Sequence, residues 1–156
     1  LRQGQIVFHD YNAVQMQSYG PEARGGAARS EIIISDQEIG YCGLYRADYM
    51  MVMSQEAYNK YTKDISENTI IIIDPDLVPD AEFEKAYKIP ATKIAEDLGN
   101  KIVANIVMLG AFNQLANLVP DDALEGSVKD SVPGRFIDMN MKALEKGKQY
   151  VKKNYE

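Results

Sequence analysis

Cysteine and histidine are nearly absent from this sequence, which has one of each among 156 residues. With Cys42 alone no intrachain disulfide can form, which fits a reducing compartment, so we predict a cytoplasmic protein. His9 has no second residue at metal-ligand spacing, which favours a structural role over metal binding. Neither a G-x-x-x-x-G-K-[ST] phosphate loop nor a G-x-S-x-G nucleophile elbow occurs. These absences exclude the commonest nucleotide-hydrolase and serine-hydrolase signatures.

Long apolar runs and a basic surface are also missing. The formal net charge is -6, which argues against nucleic acid and anionic membrane surfaces as main partners. Apolar runs such as Ile70–Ile73 are too short to span a bilayer. The start, "LRQGQIVFHDYN", has no secretory pattern and no initiator methionine. The length predicts a single domain over residues 1–156, incomplete near its N-terminus.

Alternation and β-branched runs predict several strands. The predicted ranges are Ala13–Ser18, Ser30–Ser35, Tyr49–Ser54 and Thr69–Asp74. The last two are apolar throughout, as is typical of parallel strands covered by helices. A helix capped by Ser54 lies between them, which completes a βαβ unit. The fold class is therefore α/β, a three-layer α/β/α domain with a mostly parallel or mixed sheet.

Helical periodicity dominates the second half of the chain. It is carried by Ile94, Leu98, Ile102, Ile106 and Leu109. Gly99-Asn100 divides this pattern into a short helix and a long one. The long piece, Lys101–Leu118, is apolar on nearly every side, which favours the core over a subunit interface. A final amphipathic helix over Arg135–Glu156 is expected to turn its apolar residues toward the core, namely Phe136, Ile137, Met141, Leu144 and Tyr150.

Two segments could carry chemistry. Asp74-Pro75-Asp76 follows a strand and could be a carboxylate pair, although a helix cap or turn is favoured. The loop Ser18–Gly26, "SYGPEARGG", combines a turn-forming proline, Arg24 and the pair Gly25-Gly26. Glycines allow positive φ and close backbone approach, and arginine beside exposed N–H groups can form an anion-binding concavity. Arg29 adds further charge. Composition supports a merely solvated hairpin loop about equally.

The segment around this loop, "QSYGPEARGGAARSEIIISD" (Gln17–Asp36), resembles the gamma subunit of 2-oxoacid:ferredoxin oxidoreductases. The 2-oxoglutarate branch is the most similar, within a family that includes pyruvate and ketoisovalerate enzymes. The likeness continues through further segments: Ala47–Tyr61, Ile70–Asp80, Ile89–Ala111 and, weakly, Val132–Gly147. One feature departs from the family. Its glycine-rich G-x-G-G-Q-G loop is not matched, since Leu1–Phe8 offers only Gly4-Gln5, and no site residue is carried over there.

The resemblance implies an enzyme complex in which this chain is one subunit, inactive alone. Such complexes decarboxylate a 2-oxoacid on thiamine diphosphate with magnesium, pass electrons through iron–sulfur clusters to ferredoxin, and release the acyl group on coenzyme A. Partners of alpha, beta and delta type would carry these cofactors, and this chain none with its single cysteine. A homodimer of the isolated chain is left open.

The same resemblance gives the loop a role beside the coenzyme A channel. The residues expected to line the channel are Tyr19, Gly20, Pro21, Glu22, Arg24, Gly25 and Gly26. Two other functions stay open from the sequence. One is a freestanding α/β module that binds a nucleotide or coenzyme A without partners. The other is a purely structural assembly subunit, in which the loop clamps a neighbouring subunit.

Overall fold

The computed structural model describes residues 11–17, 27–40, 46–63, 65–83 and 85–156. The chain forms two compact units, of which the first comprises Leu1–Asp48 and Ser54–Thr69 and the second comprises Tyr49–Met53 and Ile70–Glu156. Each unit is therefore assembled from separated stretches of sequence. The prediction of one domain over the whole chain stays a prediction.

The first unit contains an antiparallel pair of strands and a short helix. Strand β1 (Asn12–Gln17) pairs with β2 (Ser30–Ser35), from Asn12 opposite Ser35 to Gln17 opposite Ser30. Helix α1 (Gln55–Tyr61) begins at Ser54, whose side chain accepts a hydrogen bond from the Ala57 amide at 3.3 Å. This bond satisfies one of the amides that a helix start leaves unpaired, as the sequence predicted.

The second unit contains a parallel sheet in the order β3-β4-β5. Its strands are β3 (Tyr49–Val52), β4 (Ile70–Ile73) and β5 (Tyr87–Lys88). Ile71–Ile73 of β4 are buried, as expected for a central parallel strand, whereas Met51 of β3 is 44% exposed. The α/β class is confirmed, with the described strands divided between this parallel sheet and the antiparallel pair. The sequence did not reveal β5, because a two-residue strand is too short to show alternation.

Three helical segments follow the sheet, and glycine separates the first from the others. Helix α2 (Ala91–Asp97), a 3₁₀ turn at Lys101–Val103 and helix α3 (Ala104–Ala116) occur in that order. Gly99 has φ of +92° between them, a conformation that side chains with a Cβ rarely adopt. This break resets the helical phase, so Ile102 is 81% exposed. The prediction of a divided helix is confirmed, but Ile102 does not share the apolar face.

Two further helices complete the second unit. They are α4 (Asp121–Ser131) and α5 (Ile137–Asn154). Helix α3 packs along α5, and the core prediction for α3 is confirmed by buried Val107, Met108 and Ala111. Phe136 departs from the prediction, since it lies in a 3₁₀ turn before α5 and is 39% exposed. There its ring centroid lies 4.7 Å from the guanidinium carbon of the neighbouring Arg135.

Candidate functional site at the base of the β1–β2 loop

The seven channel residues named from the sequence lie outside the described residues, as do His9 and Cys42. They are Tyr19, Gly20, Pro21, Glu22, Arg24, Gly25 and Gly26. The structure does describe the residues where this loop leaves β1 and returns to β2. Because Gln17 pairs with Ser30, residues 18–29 leave and rejoin the strand pair at the same end. At that end the side-chain amide nitrogen of Gln15 donates a hydrogen bond to the Ser30 hydroxyl at 3.1 Å.

A cluster around Tyr61 lies on the return side of the loop. The Tyr61 hydroxyl donates a hydrogen bond to the Ala27 carbonyl oxygen at 2.8 Å. The Arg29 guanidinium carbon lies 5.2 Å from the centroid of the Tyr61 ring, within the range of a cation–π contact. Arg29 also forms an ion pair of 3.1 Å with the largely buried Glu31. We call Ala27, Arg29, Glu31 and Tyr61 the Tyr61 cluster.

Two cations lie near the aromatic ring of this cluster, one from within it and one from outside. Besides Arg29, the Lys60 ammonium lies 5.3 Å from the Tyr61 centroid. A tyrosine ring attracts cations through its negatively charged face, so Tyr61 can accommodate positive charge on both neighbours. Arg29 is committed to Glu31 and to the ring. The cluster therefore fixes backbone and charge at the base of the loop through partners within the first unit.

Local sequence patterns could not identify this cluster. The sequence pattern indicates only that Tyr61 occupies an apolar position on a short helix. It lies 34 positions from Ala27 along the chain. The sequence shows Arg29 as additional charge beside the loop, but no local pattern indicates that Arg29 pairs with Glu31. The one local signal was an aromatic residue with a hydroxyl at the last position of a helix, and buried tyrosine hydroxyls usually find a partner.

The second sequence candidate, Asp74, proves to be a capping residue. One carboxylate oxygen accepts from the Asp76 amide at 3.0 Å, and the other accepts from the Thr92 amide at 2.8 Å and hydroxyl at 2.7 Å. Asp74 is fully buried at the end of β4, while Asp76 is exposed. These bonds hold the start of α2 against the sheet. The cap-or-turn interpretation is confirmed, because Asp74 accepts hydrogen bonds both from the turn that follows β4 and from the first turn of α2.

A buried lysine forms the main ionic site of the second unit. The Lys148 side chain is 4% exposed, and its ammonium lies 2.9 Å from an Asp121 carboxylate oxygen and 3.8 Å from Glu125. The hydrogen bond from Lys148 holds the pKa of Asp121 below its usual range. Asn113 bridges the same region by bonding both the amide and the carbonyl of Val119. This arrangement joins α4 to α5 and is structural.

The single cysteine limits the iron–sulfur clusters that this chain could hold by itself. A four-cysteine iron–sulfur site needs more thiolates than the single Cys42 supplies. Within the described ranges no three residues among His, Cys, Asp and Glu are grouped as metal ligands. No helix among the described residues is both long and apolar enough to cross a bilayer.

Comparison with known proteins gives the class of this chain. The chain belongs to the pyruvate ferredoxin/flavodoxin oxidoreductase family, whose model matches residues 5–150. Within that family, it is 42% identical to the 2-oxoglutarate synthase subunit KorC of Methanocaldococcus jannaschii, over 97% of this chain and 84% of the relative. The corresponding subunit of Methanothermobacter thermautotrophicus is also 42% identical, over 89% of this chain and 78% of that relative.

Solved structures agree with this assignment. The gamma subunit of a keto/oxoacid ferredoxin oxidoreductase from Geobacter sulfurreducens is similar with a TM-score of 0.76 and 41% identity, covering 89% of this chain and 79% of that one. The 2-oxoglutarate:ferredoxin oxidoreductase of Magnetococcus marinus shares the fold, with a TM-score of 0.70 at 22% identity, over 90% of this chain and 26% of that chain. The resemblance to gamma subunits of 2-oxoacid oxidoreductases is confirmed.

Proposed function

We propose that this chain is the gamma subunit of a complex that oxidises 2-oxoglutarate and transfers the resulting acyl group to coenzyme A. The observation that carries the proposal is the gradient of identity within the family. Identity is 42% with two 2-oxoglutarate synthase subunits, 32% with a pyruvate synthase subunit and 29% with a ketoisovalerate oxidoreductase subunit. This order supports 2-oxoglutarate as the substrate of the complex.

The chain's own role in that complex is proposed for the loop Ser18–Gly26. Coenzyme A carries several phosphates, whereas this chain has a net charge of -6. A local cation is therefore needed wherever it contributes to the coenzyme A channel. Arg29 already pairs with Glu31 at 3.1 Å, which leaves Arg24 as the loop residue suited to a phosphate. A guanidinium donates charge-assisted hydrogen bonds to phosphate oxygens, and Gly25-Gly26 permits close backbone approach.

A structural neighbour supports this choice of ligand. The Magnetococcus marinus enzyme was solved with 2-oxoglutarate, coenzyme A and succinyl-CoA bound. Thiamine diphosphate, magnesium and iron–sulfur clusters are assigned by this proposal to partner subunits of alpha, beta and delta type, with ferredoxin as the acceptor. The gamma chain then acts by shape and positive charge. Tyr19, Gly20, Pro21 and Glu22 complete the proposed channel wall beside Arg24.

Replacing Arg24 with alanine in the assembled complex tests this role. Since a hydrogen bond to a charged group contributes about 1.5–3 kcal/mol, we expect the KM for coenzyme A to rise about 10- to 100-fold. Decarboxylation of 2-oxoglutarate without coenzyme A should stay near the wild-type rate. Steady-state kinetics with coenzyme A as the varied substrate gives the measurement.

The matched control is Arg135→Ala, which removes one arginine from the second unit and should leave the KM for coenzyme A unchanged. An unchanged KM in an intact Arg24→Ala complex contradicts the proposed channel role. Loss of assembly in Arg24→Ala, seen by size-exclusion chromatography, would instead identify the loop as an intersubunit clamp.

A further inference from the structure

A shallow groove lies on the second unit, between the end of α2 and the solvent-facing side of α5. Its volume is about 510 Å³, and its lining residues are Leu98, Met141, Lys142, Glu145, Lys146 and Gln149. Leu98 and Met141 are half-buried and form an apolar floor, whereas the other lining residues are exposed. Methionine adapts readily to the shape of an apolar partner. The groove is therefore suited to receive an apolar side chain from another molecule.

Ile102 adds exposed apolar surface near this groove. It follows Leu98 by four residues and lies on the 3₁₀ turn that contacts both α2 and α5. Its exposed fraction is 81%. Single exposed apolar side chains are common on protein surfaces, but a grouping of several marks an interaction site. Ile102, Leu98 and Met141 form such a grouping on adjacent elements of one unit.

The rim of the groove carries positive charge that the described part of the chain does not neutralise. Lys142 and Lys146 lie one turn apart on α5, and among the described residues neither forms an ion pair. Glu145, the acidic residue of the lining, accepts a hydrogen bond from the Gln149 side chain at 2.8 Å. Helix α5 carries five lysines and two acidic residues, in a chain whose net charge is -6. The rim is thus a local cationic site on an acidic protein.

These features indicate the kind of partner that fits. A cationic rim around an apolar floor complements a segment in which acidic residues flank an apolar side chain. Nucleic acids and anionic membranes also attract lysines, but a net charge of -6 opposes their approach to the surrounding surface. A protein is therefore the better partner, and this chain is similar to proteins that are subunits of larger enzymes.

We propose that this groove docks an acidic and apolar segment of a neighbouring subunit in the complex. Carboxylates of that segment would pair with Lys142 and Lys146, and an apolar side chain would lie on Leu98 and Met141. This inference rests on the proposed function for the existence of the complex. It assigns the groove no role in binding coenzyme A.

Competition for incorporation tests the groove in the complete complex. Wild-type chain and Lys142→Glu/Lys146→Glu are co-expressed with the other subunits, and mass spectrometry gives their ratio in complex purified through a tag on another subunit. Because the reversed charges would face carboxylates, we expect incorporation of the variant to fall at least about tenfold. The matched control, Lys152→Glu/Lys153→Glu, makes the same change of charge on α5 outside the groove lining and should stay within about twofold of wild type.

Melting temperatures of the isolated chains separate docking from folding. All four substituted lysines are exposed, so both double variants should melt within a few degrees of wild type. If Lys142→Glu/Lys146→Glu does not fold, Lys142→Gln/Lys146→Gln takes its place. Incorporation of this neutral variant should fall at least about threefold, because two ion pairs are lost without new repulsion.

Carbodiimide coupling of the wild-type complex identifies the occupant, because this reagent joins a lysine amine to a carboxylate in direct contact. We expect Lys142 or Lys146 to be joined to an aspartate or glutamate of another subunit. Coupling of both lysines only to a second copy of this chain would overturn the proposal in favour of self-association. Coupling at neither lysine, or equal incorporation of the groove variant and its control, also overturns it. A complex that docks this chain through the groove but does not oxidise 2-oxoglutarate contradicts the proposed function and leaves the docking site standing.

Discussion

Charged side chains without access to water show which single residues matter most for this fold. Asp74 is fully buried, and the Lys148 side chain is 4% exposed. Burial of a charge is costly unless partners compensate for the lost hydration. Asp74 has three donors from Asp76 and Thr92, while Lys148 depends on carboxylates at 2.9 and 3.8 Å. The Lys148 site is therefore the more sensitive to loss of one partner.

Replacing Asp121 with asparagine should destabilise the chain by about 1–2 kcal/mol. The Asp121 side chain is 61% exposed, and Glu125 remains near the ammonium at 3.8 Å, so the loss should be smaller than for a fully buried pair. Urea denaturation measures it. The control Asp97→Asn breaks an ion pair with Lys93 whose side chains are 68% and 64% exposed, and it should change stability by less than about 0.5 kcal/mol.

The same pair predicts a dependence on pH. Because Lys148 lowers the folded-state pKa of Asp121, the carboxylate stabilises the fold at every pH above its unfolded pKa of about 3.9. This contribution is lost as the pH falls through the lower folded-state pKa. The difference in unfolding free energy between wild type and Asp121→Asn should therefore be constant near neutral pH and shrink in acid. A difference that grows as the pH falls would contradict the assigned ion pair.

At the scale of elements, helices α3 and α5 meet through one glycine from each. A Cβ at Gly110 would overlap the Leu144 carbonyl oxygen, and a Cβ at Gly147 would overlap the Val107 carbonyl oxygen. The backbones of α3 and α5 therefore lie closer together than a Cβ atom at Gly110 or Gly147 would allow. Gly147 also lies beside Lys148 on α5, so close packing and the buried ion pair share one stretch of helix.

Gly147→Ala and Gly126→Ala should have opposite effects on stability. Alanine is the better helix former by about 0.8–1 kcal/mol in a helix interior. At Gly126 in α4 a Cβ meets nothing within 4 Å, so this variant should be more stable by up to about 1 kcal/mol. At Gly147 the overlap is with backbone, so we expect a loss of about 1–3 kcal/mol or more. Melting temperatures of the two variants against wild type test the pair, and a stabilised Gly147→Ala would refute the close contact.

Most elements could be predicted from the sequence because their periodicity is local. Ser54 marked the start of α1, and Gly99 marked the break between α2 and α3. Where prediction failed within elements, the cause was a local change of backbone geometry that residue types alone do not determine. The phase change at Gly99 exposed Ile102, and Phe136 fell in a 3₁₀ turn outside α5. Around the candidate site the cause was tertiary, since the loop is visible in the sequence while the hydrogen bond from Tyr61 to Ala27 is a long-range contact.

At the scale of the whole molecule, the chain belongs to a family of oxidoreductase subunits, and the proposed coenzyme A channel is completed by partner subunits. We therefore expect the isolated chain to give no heat of binding with coenzyme A up to about 1 mM in calorimetry, which means binding weaker than about 4 kcal/mol. The complete complex should bind coenzyme A under the same conditions. Tight binding by the isolated chain would instead favour a freestanding coenzyme A module.

The alternation of the two units along the chain has a consequence for biosynthesis and protein engineering. Tyr49–Met53 belongs to the second unit but is synthesised between two stretches of the first. During synthesis β3 therefore leaves the ribosome before β4, the strand with which it pairs. If the chain were split after Thr69, β3 and β4 would lie on different fragments. Expression of the two fragments should therefore not give an intact second unit.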